Sequence, residues 1–168
     1  SDTQTLTNKT LTNPDITFTD NAPDQNVIVR AYLNTKQEDI AYGTAVKVQL
    51  NGESFDVGGD FDDSSNYRFT APVAGYYQVN AGIVWSGLTA NSRLDVHLYK
   101  NGTKCNFGVN QVAYSNALGA RISDVLYLAS TNYLELYTTQ YSSNETPTGV
   151  DILNGEDFTY MSIILLSI

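Results

Sequence analysis

The chain has 168 residues, of which 16% are charged, and its formal net charge is −9 at pH 7. A chain of this length can bury a sizeable single core, and an acidic chain without a cluster of Lys and Arg is not expected to bind nucleic acid. The longest apolar stretch, residues 161–168, is interrupted by serines and too short to insert into a membrane, so we expect a soluble protein.

The N-terminal segment repeats one short motif. TLTNK is followed directly by TLTNP in residues 5–14, so that Leu6, Leu11 and Ile16 recur every five residues and each precedes a threonine. An odd period places successive apolar residues on opposite faces of a flat strand, so a lone edge strand cannot bury them all, whereas three chains wound about one axis can. We therefore interpret residues 1–26 as an extended neck. A disordered linker is the alternative, which the Thr and Asn content also allows.

After the neck, the sequence predicts strands from end to end. β-Branched and aromatic residues dominate, and Gly, Asn, Asp and Ser interrupt the chain about every ten residues. The predicted strands are residues 27–33, 46–50, 76–85, 93–100, 126–128, 133–141 and 158–166. Asn101 and Gly102 supply a type I′ hairpin turn, in which both residues need positive φ. An all-β sandwich or barrel is the fold class that this pattern indicates.

Two of these strands also predict which side chains face the core. Residues 93–100 place apolar residues, from Leu94 to Leu98, on one face and polar residues, including His97, on the other. Residues 163–166 of the last strand are apolar on both faces. The last strand should therefore be central, and be covered by a second sheet or by a neighbouring chain.

The middle of the chain contains a spaced aromatic motif. In YRFTAPVAGYY, Phe69 is followed after five residues by Gly75, then by Tyr77. LYKNG at residues 98–102 and FTYMS at residues 158–162 follow in order. The three segments resemble the signature of the C1q-like domain, its Tyr-Lys-Asn-Gly hairpin and its final strand.

The C1q-like resemblance covers residues 27–168, which we expect to form a head after the neck. It implies a jelly-roll β-sandwich of about ten strands, related to tumour necrosis factor, that associates as a compact homotrimer. The 12 tyrosines and the apolar last strand are consistent with assembly, since aromatic residues are favoured at subunit contacts. Tyrosines that fill a single monomeric core are the alternative.

Catalysis is not expected from this sequence. Cys105 is the single cysteine, which excludes an internal disulfide and a cysteine-based metal cluster, and His97 is the only histidine. No Gly-x-Ser-x-Gly elbow accompanies that histidine, and the chain is too short for the long β-helix on which the paired carboxylates of glycan-degrading spikes usually lie. A Cys105 nucleophile with His97 as its base is the sole catalytic alternative, and we predict that the chain is not an enzyme.

An acidic loop, DVGGDFDDSSN at residues 56–66, is the sharpest local feature. Carboxylates and carbonyls on a glycine-containing loop are the ligands that calcium prefers, and some members of the C1q-like family bind calcium. Asp60, Asp62 and Asp63 are therefore candidate calcium ligands, and no other cofactor is expected. An ordinary solvated turn is the alternative, because the spacing does not match an EF-hand.

The wording of the neck resembles the segments that precede the terminal knobs of bacteriophage tail-fibre and spike proteins. With the C1q-like motifs, it predicts the trimeric head of a phage, prophage or other virion fibre, located on the extracellular virion and attached on its N-terminal side. Such a head would bind a host-surface glycan or protein, with residues 87–92, 112–117 and 141–149 as candidate loops. A trimerisation or decoration module without a ligand, or a secreted C1q-like binding protein, are the alternatives.

Overall fold

The computed structural model describes residues 26–110, 117–142 and 149–168. This part of the chain contains twelve strands and no helix, and so no helix that is long and apolar enough to cross a membrane. The strands are β1 (Ile28–Tyr32), β2 (Val46–Lys47), β3 (Gly52–Val57), β4 (Phe61–Asp62), β5 (Arg68–Thr70), β6 (Gly75–Ser86), β7 (Arg93–Lys100), β8 (Thr103–Asn110), β9 (Ala117–Leu128), β10 (Tyr133–Tyr141), β11 (Asp151–Ile152) and β12 (Tyr160–Ser167). The TLTNK/TLTNP repeat lies outside the described residues, as do parts of two candidate loops.

The strands form two six-stranded antiparallel sheets. In the first sheet, β6 pairs with β9 along one edge and with β12 and β11 along the other, and β1 and β3 continue beyond β12. In the second sheet, β10 pairs with β7 along one edge and with β5 and β2 along the other. β8 pairs with the free edge of β7, and β4 pairs with the free edge of β5. The predicted all-β sandwich is confirmed. Its strand count exceeds ten because β2, β4 and β11 are short pairings of two residues each.

The core lies between the sheets and follows the alternation of the strands. On β6 every second residue from Tyr77 to Trp85 is buried, and on β7 Leu94, Val96 and Leu98 are buried opposite them. The indole Nε1 of Trp85 donates a 3.1 Å hydrogen bond to the hydroxyl of Thr138. The largest core side chain thus satisfies its one polar group without reaching water.

The C1q-like motif contributes three contacts to this core. Phe69 and Tyr77 are both fully buried, with their ring centroids 5.6 Å apart, and the Tyr77 hydroxyl donates a 2.8 Å hydrogen bond to the carbonyl of Val73. At Gly75 an added Cβ would lie 2.5 Å from the carbonyl oxygen of Ser167. Only glycine therefore lets the start of β6 pass so close to the end of β12.

The hairpin and the last strand match their predictions. Asn101 and Gly102 have φ values of 51° and 74°, as a type I′ turn requires. β12 is central, between β1 and β6, and its inward Ile163 is buried against the second sheet. The neighbouring Ile164 faces outward and is exposed in this single chain.

Two predicted strands have wrong boundaries. The segment predicted at residues 126–128 is the end of the much longer β9, in which the polar Asp124 interrupts the inward apolar series and accepts a 2.8 Å hydrogen bond from the Asn106 amide. The strand predicted at residues 46–50 ends at Lys47, because the backbone turns there and the N–H of Leu50 donates a hydrogen bond to the carbonyl of Val48.

Candidate functional site

An apolar row crosses the outer face of the first sheet. Val57, Ile28, Ile164, Gln78 and Val125 are aligned in register across β3, β1, β12, β6 and β9. All but the glutamine are aliphatic, and three of the four aliphatic residues are exposed. A solvated sheet face normally carries polar residues at these positions, so this one is suited to being covered.

Aromatic and aliphatic side chains widen the row. Tyr76 of β6 and Tyr127 of β9 are directly paired, are each about half exposed, and have ring centroids 5.5 Å apart. Phe55 on β3 and Leu166 at the end of β12 are exposed to a similar degree. We call this set the apolar face, comprising Phe55, Val57, Tyr76, Val125, Tyr127, Ile164 and Leu166. Contiguous exposed patches of this kind mark interaction surfaces.

A polar band borders the apolar face. The Ser123 hydroxyl donates a 2.8 Å hydrogen bond to the Asn80 side chain, one row along the sheet from Val125 and Gln78. Two guanidinium groups lie near the Tyr160 ring, that of Arg30 at 4.6 Å and that of Arg121 at 5.7 Å from the ring centroid. An apolar centre with a polar edge is the usual organisation of a protein interface.

Asp62 of the acidic loop closes a turn. Its carboxylate accepts hydrogen bonds from the backbone N–H groups of Ser64, Ser65 and Asn66 at 3.1, 2.8 and 3.1 Å, and from the Asn66 amide at 2.7 Å. These donors, led by the Ser65 N–H, hold the pKa of the Asp62 carboxyl well below its usual range. Asp62 therefore has a structural role as the acceptor of a tight turn.

The other two predicted calcium ligands have different neighbours. Desolvation and then the Asp56 carboxylate raise the pKa of Asp60, which lines an open cleft of about 350 Å³. Asp63 contributes, after desolvation and Asp56, to the raised pKa of Glu53. Across residues 26–110, 117–142 and 149–168, no three His, Cys, Asp or Glu side chains are grouped as metal ligands. Calcium binding stays a prediction, tested by titrating calcium into chelator-treated protein and recording heat and melting temperature.

His97 and Cys105 engage other groups. The Nε2 atom of His97 lies 3.0 Å from the Thr139 hydroxyl, whereas the Cys105 thiol donates a 3.4 Å hydrogen bond to the carbonyl of Leu98. Although Cys105 is exposed, desolvation of its thiol and the nearby Asp124 carboxylate raise its pKa, the opposite of what activates a nucleophile. His97 lies on the face opposite Leu94, Val96 and Leu98, as predicted, and is buried there.

Most of the apolar face was not predicted from the sequence. Residues 163–166 were predicted to be apolar on both faces, but the outward apolar residues of β3 and β9 were not predicted. A signal was present in β9, where Val125 and Tyr127 alternate with the apolar Leu126 and Leu128, as in a strand covered on both sides. Of the candidate loops, residues 87–92 are described and form a turn in which the Ser92 hydroxyl donates to the Thr89 carbonyl.

Two antiparallel sheets in this strand order form a jelly-roll fold like that of C1q and TNF, and solved structures share this fold. Murine APRIL at pH 8.5 has a TM-score of 0.59 and 9% identity, with 84% of this chain and 99% of that chain covered. The globular domain of zebrafish complement 1qA has a TM-score of 0.59 and 16% identity, with 84% and 97% covered. Eiger TNF from S. frugiperda has a TM-score of 0.59 and 9% identity, with 85% and 94% covered. No protein-family model and no curated protein matches the sequence.

Proposed function

We propose that the chain forms the homotrimeric head of a fibre on a bacteriophage, prophage or other virion, and that this head binds a host-surface glycan or protein. The apolar face carries the proposal. It crosses five strands of one sheet, and three copies arranged around an axis would cover it. Burial of large apolar side chains is the main driving force of such association.

The assignment to a virion fibre is supported by the neck. Its five-residue period places Leu6, Leu11 and Ile16 where three chains wound together would bury them, and a three-chain neck suits a three-chain head.

Binding is supported by the position of the apolar face on one sheet only. The second sheet stays accessible on the outside of such an assembly. A non-enzymatic role agrees with the pairing of His97 and Cys105 to other groups.

Solution mass tests the assembly. Light-scattering chromatography of the whole chain should give about 55 kDa, three times the 18.4 kDa of one chain. A second sample beginning at Val27 separates the contributions of the head and the neck. A trimer in both samples places assembly in the head, a trimer only in the whole chain places it in the neck, and a monomer in both contradicts the proposal.

Receptor binding is tested with the labelled trimer on a panel of bacterial cells. Saturable binding that blocks adsorption of the parent virion supports a receptor-binding head. A trimer that binds no cells instead supports the second candidate, a structural module that trimerises or decorates the fibre. The apolar face alone favours that candidate, because covering it requires copies of the chain and no ligand.

A further inference from the structure

Large side chains also cross the outer face of the second sheet. Lys47, Tyr137, His97 and Phe107 are aligned across β2, β10, β7 and β8. Tyr99, two residues after His97, packs on Tyr137 with ring centroids 4.2 Å apart and an angle of 31° between the planes. We call Tyr99, Phe107 and Tyr137 the aromatic platform. Tyr99 and Tyr137 lie on the central strands β7 and β10, and Phe107 lies on the edge strand β8.

Ionisable side chains beside the platform are buried, although they belong to the outward face. Asp95 is 3% exposed, His97 5% and Glu135 5%. Charged groups on an outward sheet face normally extend into water, because burying them is unfavourable unless they are paired. These buried groups therefore need partners on the surface.

The two buried carboxylates orient two cations on the surface. Arg93 donates two hydrogen bonds to Asp95, at 2.9 and 2.8 Å, and its side chain remains largely exposed. Lys47 forms an ion pair with Glu135, and its ammonium group lies 5.7 Å from the centre of the Tyr137 ring. Fixed partners of this kind reduce the entropy that these long side chains lose when they bind a ligand.

One buried polar atom on this face has no partner. The Nδ1 atom of His97 is buried, and among the described residues nothing accepts or donates a hydrogen bond to it. More than nine in ten buried polar groups are paired, so the orphaned nitrogen requires an explanation that packing of the sheet does not supply. Burial, followed by the charge of Lys104, lowers the pKa of His97, so the ring is neutral at pH 7.

We propose that this surface binds carbohydrate, with a sugar ring stacked on the aromatic platform and its hydroxyl groups bonded by Lys47. Flat rings match the C–H faces of a pyranose, and oriented charged donors match its hydroxyls. His97 lies in the same row, between Tyr137 and Phe107, and its unpartnered Nδ1 can hydrogen-bond a ligand hydroxyl or a water that the ligand holds. The inference rests on the proposed function and names the place and the chemical class of its ligand.

The chemistry of the surface favours a sugar over a macromolecular partner. Protein interfaces concentrate apolar groups at their centre and exclude charge from it, whereas here the Lys47–Glu135 ion pair adjoins the Tyr137 ring. Nucleic acid is disfavoured by the net charge of −9. The platform also lies on the sheet opposite the apolar face, so trimer formation leaves it open.

The test uses the whole chain on a printed array of bacterial and animal oligosaccharides, followed by calorimetric titration of an oligosaccharide that binds. Tyr137→Leu and Tyr99→Leu keep apolar volume but remove the stacking ring. Each is expected to weaken binding about tenfold or more, which is about 1.4 kcal/mol. Phe158→Ala removes an exposed aromatic outside the platform and should change the dissociation constant less than about twofold. Circular dichroism and light scattering confirm that each variant is folded and keeps its mass.

Two outcomes overturn the inference: the wild-type protein binds no oligosaccharide on the array, or both leucine variants bind as the wild type does. Host cells separate this failure from failure of the proposed function. If the wild type and the leucine variants bind cells equally, or if protease but not periodate treatment of the cells abolishes binding, receptor recognition stands and the platform is wrong. If the wild type binds neither cells nor oligosaccharides, both are wrong.

Discussion

Ile164 offers the most direct test of assembly through the apolar face. It occupies the middle of the apolar row, between Ile28 and Gln78, and 39% of its surface is exposed in one chain. Full burial of an isoleucine side chain contributes about 1.5–3 kcal/mol. Covering the remaining two-fifths therefore contributes about 1 kcal/mol per chain, or about 3 kcal/mol per trimer.

We expect Ile164→Asp to weaken the trimer at least about a hundredfold, because about 3 kcal/mol corresponds to two factors of ten. The new carboxylates add to the loss, since three like charges would be desolvated together near one axis. Sedimentation velocity over a series of concentrations measures the effect as a shift from trimer to monomer. Circular dichroism should show the same β-sheet content, because the side chain lies outside the core.

Tyr42→Asp is the matched control. Tyr42 is 38% exposed, nearly the same as Ile164, but bridges to Gln140 of the second sheet. The same charge introduced there should leave the sedimentation profile unchanged. If Ile164→Asp stays trimeric at the concentrations at which the wild type does, the apolar face is not the interface. Equal dissociation of both variants would attribute the effect to added charge and refute the reasoning as well.

Three further substitutions test single contacts. Gly75→Ala puts a methyl group 2.5 Å from the Ser167 carbonyl oxygen and should lower stability by about 1–3 kcal/mol in thermal unfolding; an unchanged melting temperature would exclude the close approach. Asp62→Ala removes a carboxyl whose pKa is lowered in the folded state, so the ionised carboxylate stabilises the fold above about pH 4. This stabilisation disappears in acid, where the unfolding curves of the variant and the wild type should converge. The pKa of His97 is lowered in the folded state, so below about pH 6.5 the unfolded chain binds a proton more readily than the folded chain does. The wild type should therefore lose stability as the pH falls, whereas His97→Gln should not lose this contribution. Urea titrations at pH 7 and pH 5 measure the difference.

The predicted strands succeeded where alternation is strict and failed where packing determines the boundary. β7 begins and ends where the sequence indicates, because Leu94, Val96 and Leu98 alternate with other residues and the Asn101-Gly102 turn fixes its end. β10 also has its predicted bounds, although its inward positions include Thr138 and Gln140. Only residues 126–128 of the long β9 were predicted, and Asp124 occupies an inward position just before them. That position is tolerated only through the amide of Asn106 on a neighbouring strand, a contact that no local pattern reveals.

The candidate sites were predicted less completely than the fold. Asp62 belongs to a predicted acidic loop, but its role depends on three N–H groups that converge only after the turn forms. His97 was expected on the polar face of β7, and its neighbours across that face are Tyr137 and Phe107 on the adjacent strands. Periodicity assigns residues to a face, while the burial of that face depends on the neighbours that the topology supplies.

Assembly through one outer face of the sandwich determines how many ligand sites the other outer face contributes to one head. If the apolar face holds three chains together, the head presents three aromatic platforms, and weak sugar binding at each is strengthened by simultaneous contacts with one cell surface. Ile164→Asp should then reduce binding to cells far more than binding to a soluble oligosaccharide, because the monomer keeps an intact platform. Cell binding by flow cytometry and oligosaccharide binding by calorimetry on the same preparation measure the two effects. Equal losses in both assays would instead place the ligand between subunits, where it needs the trimer for its contacts.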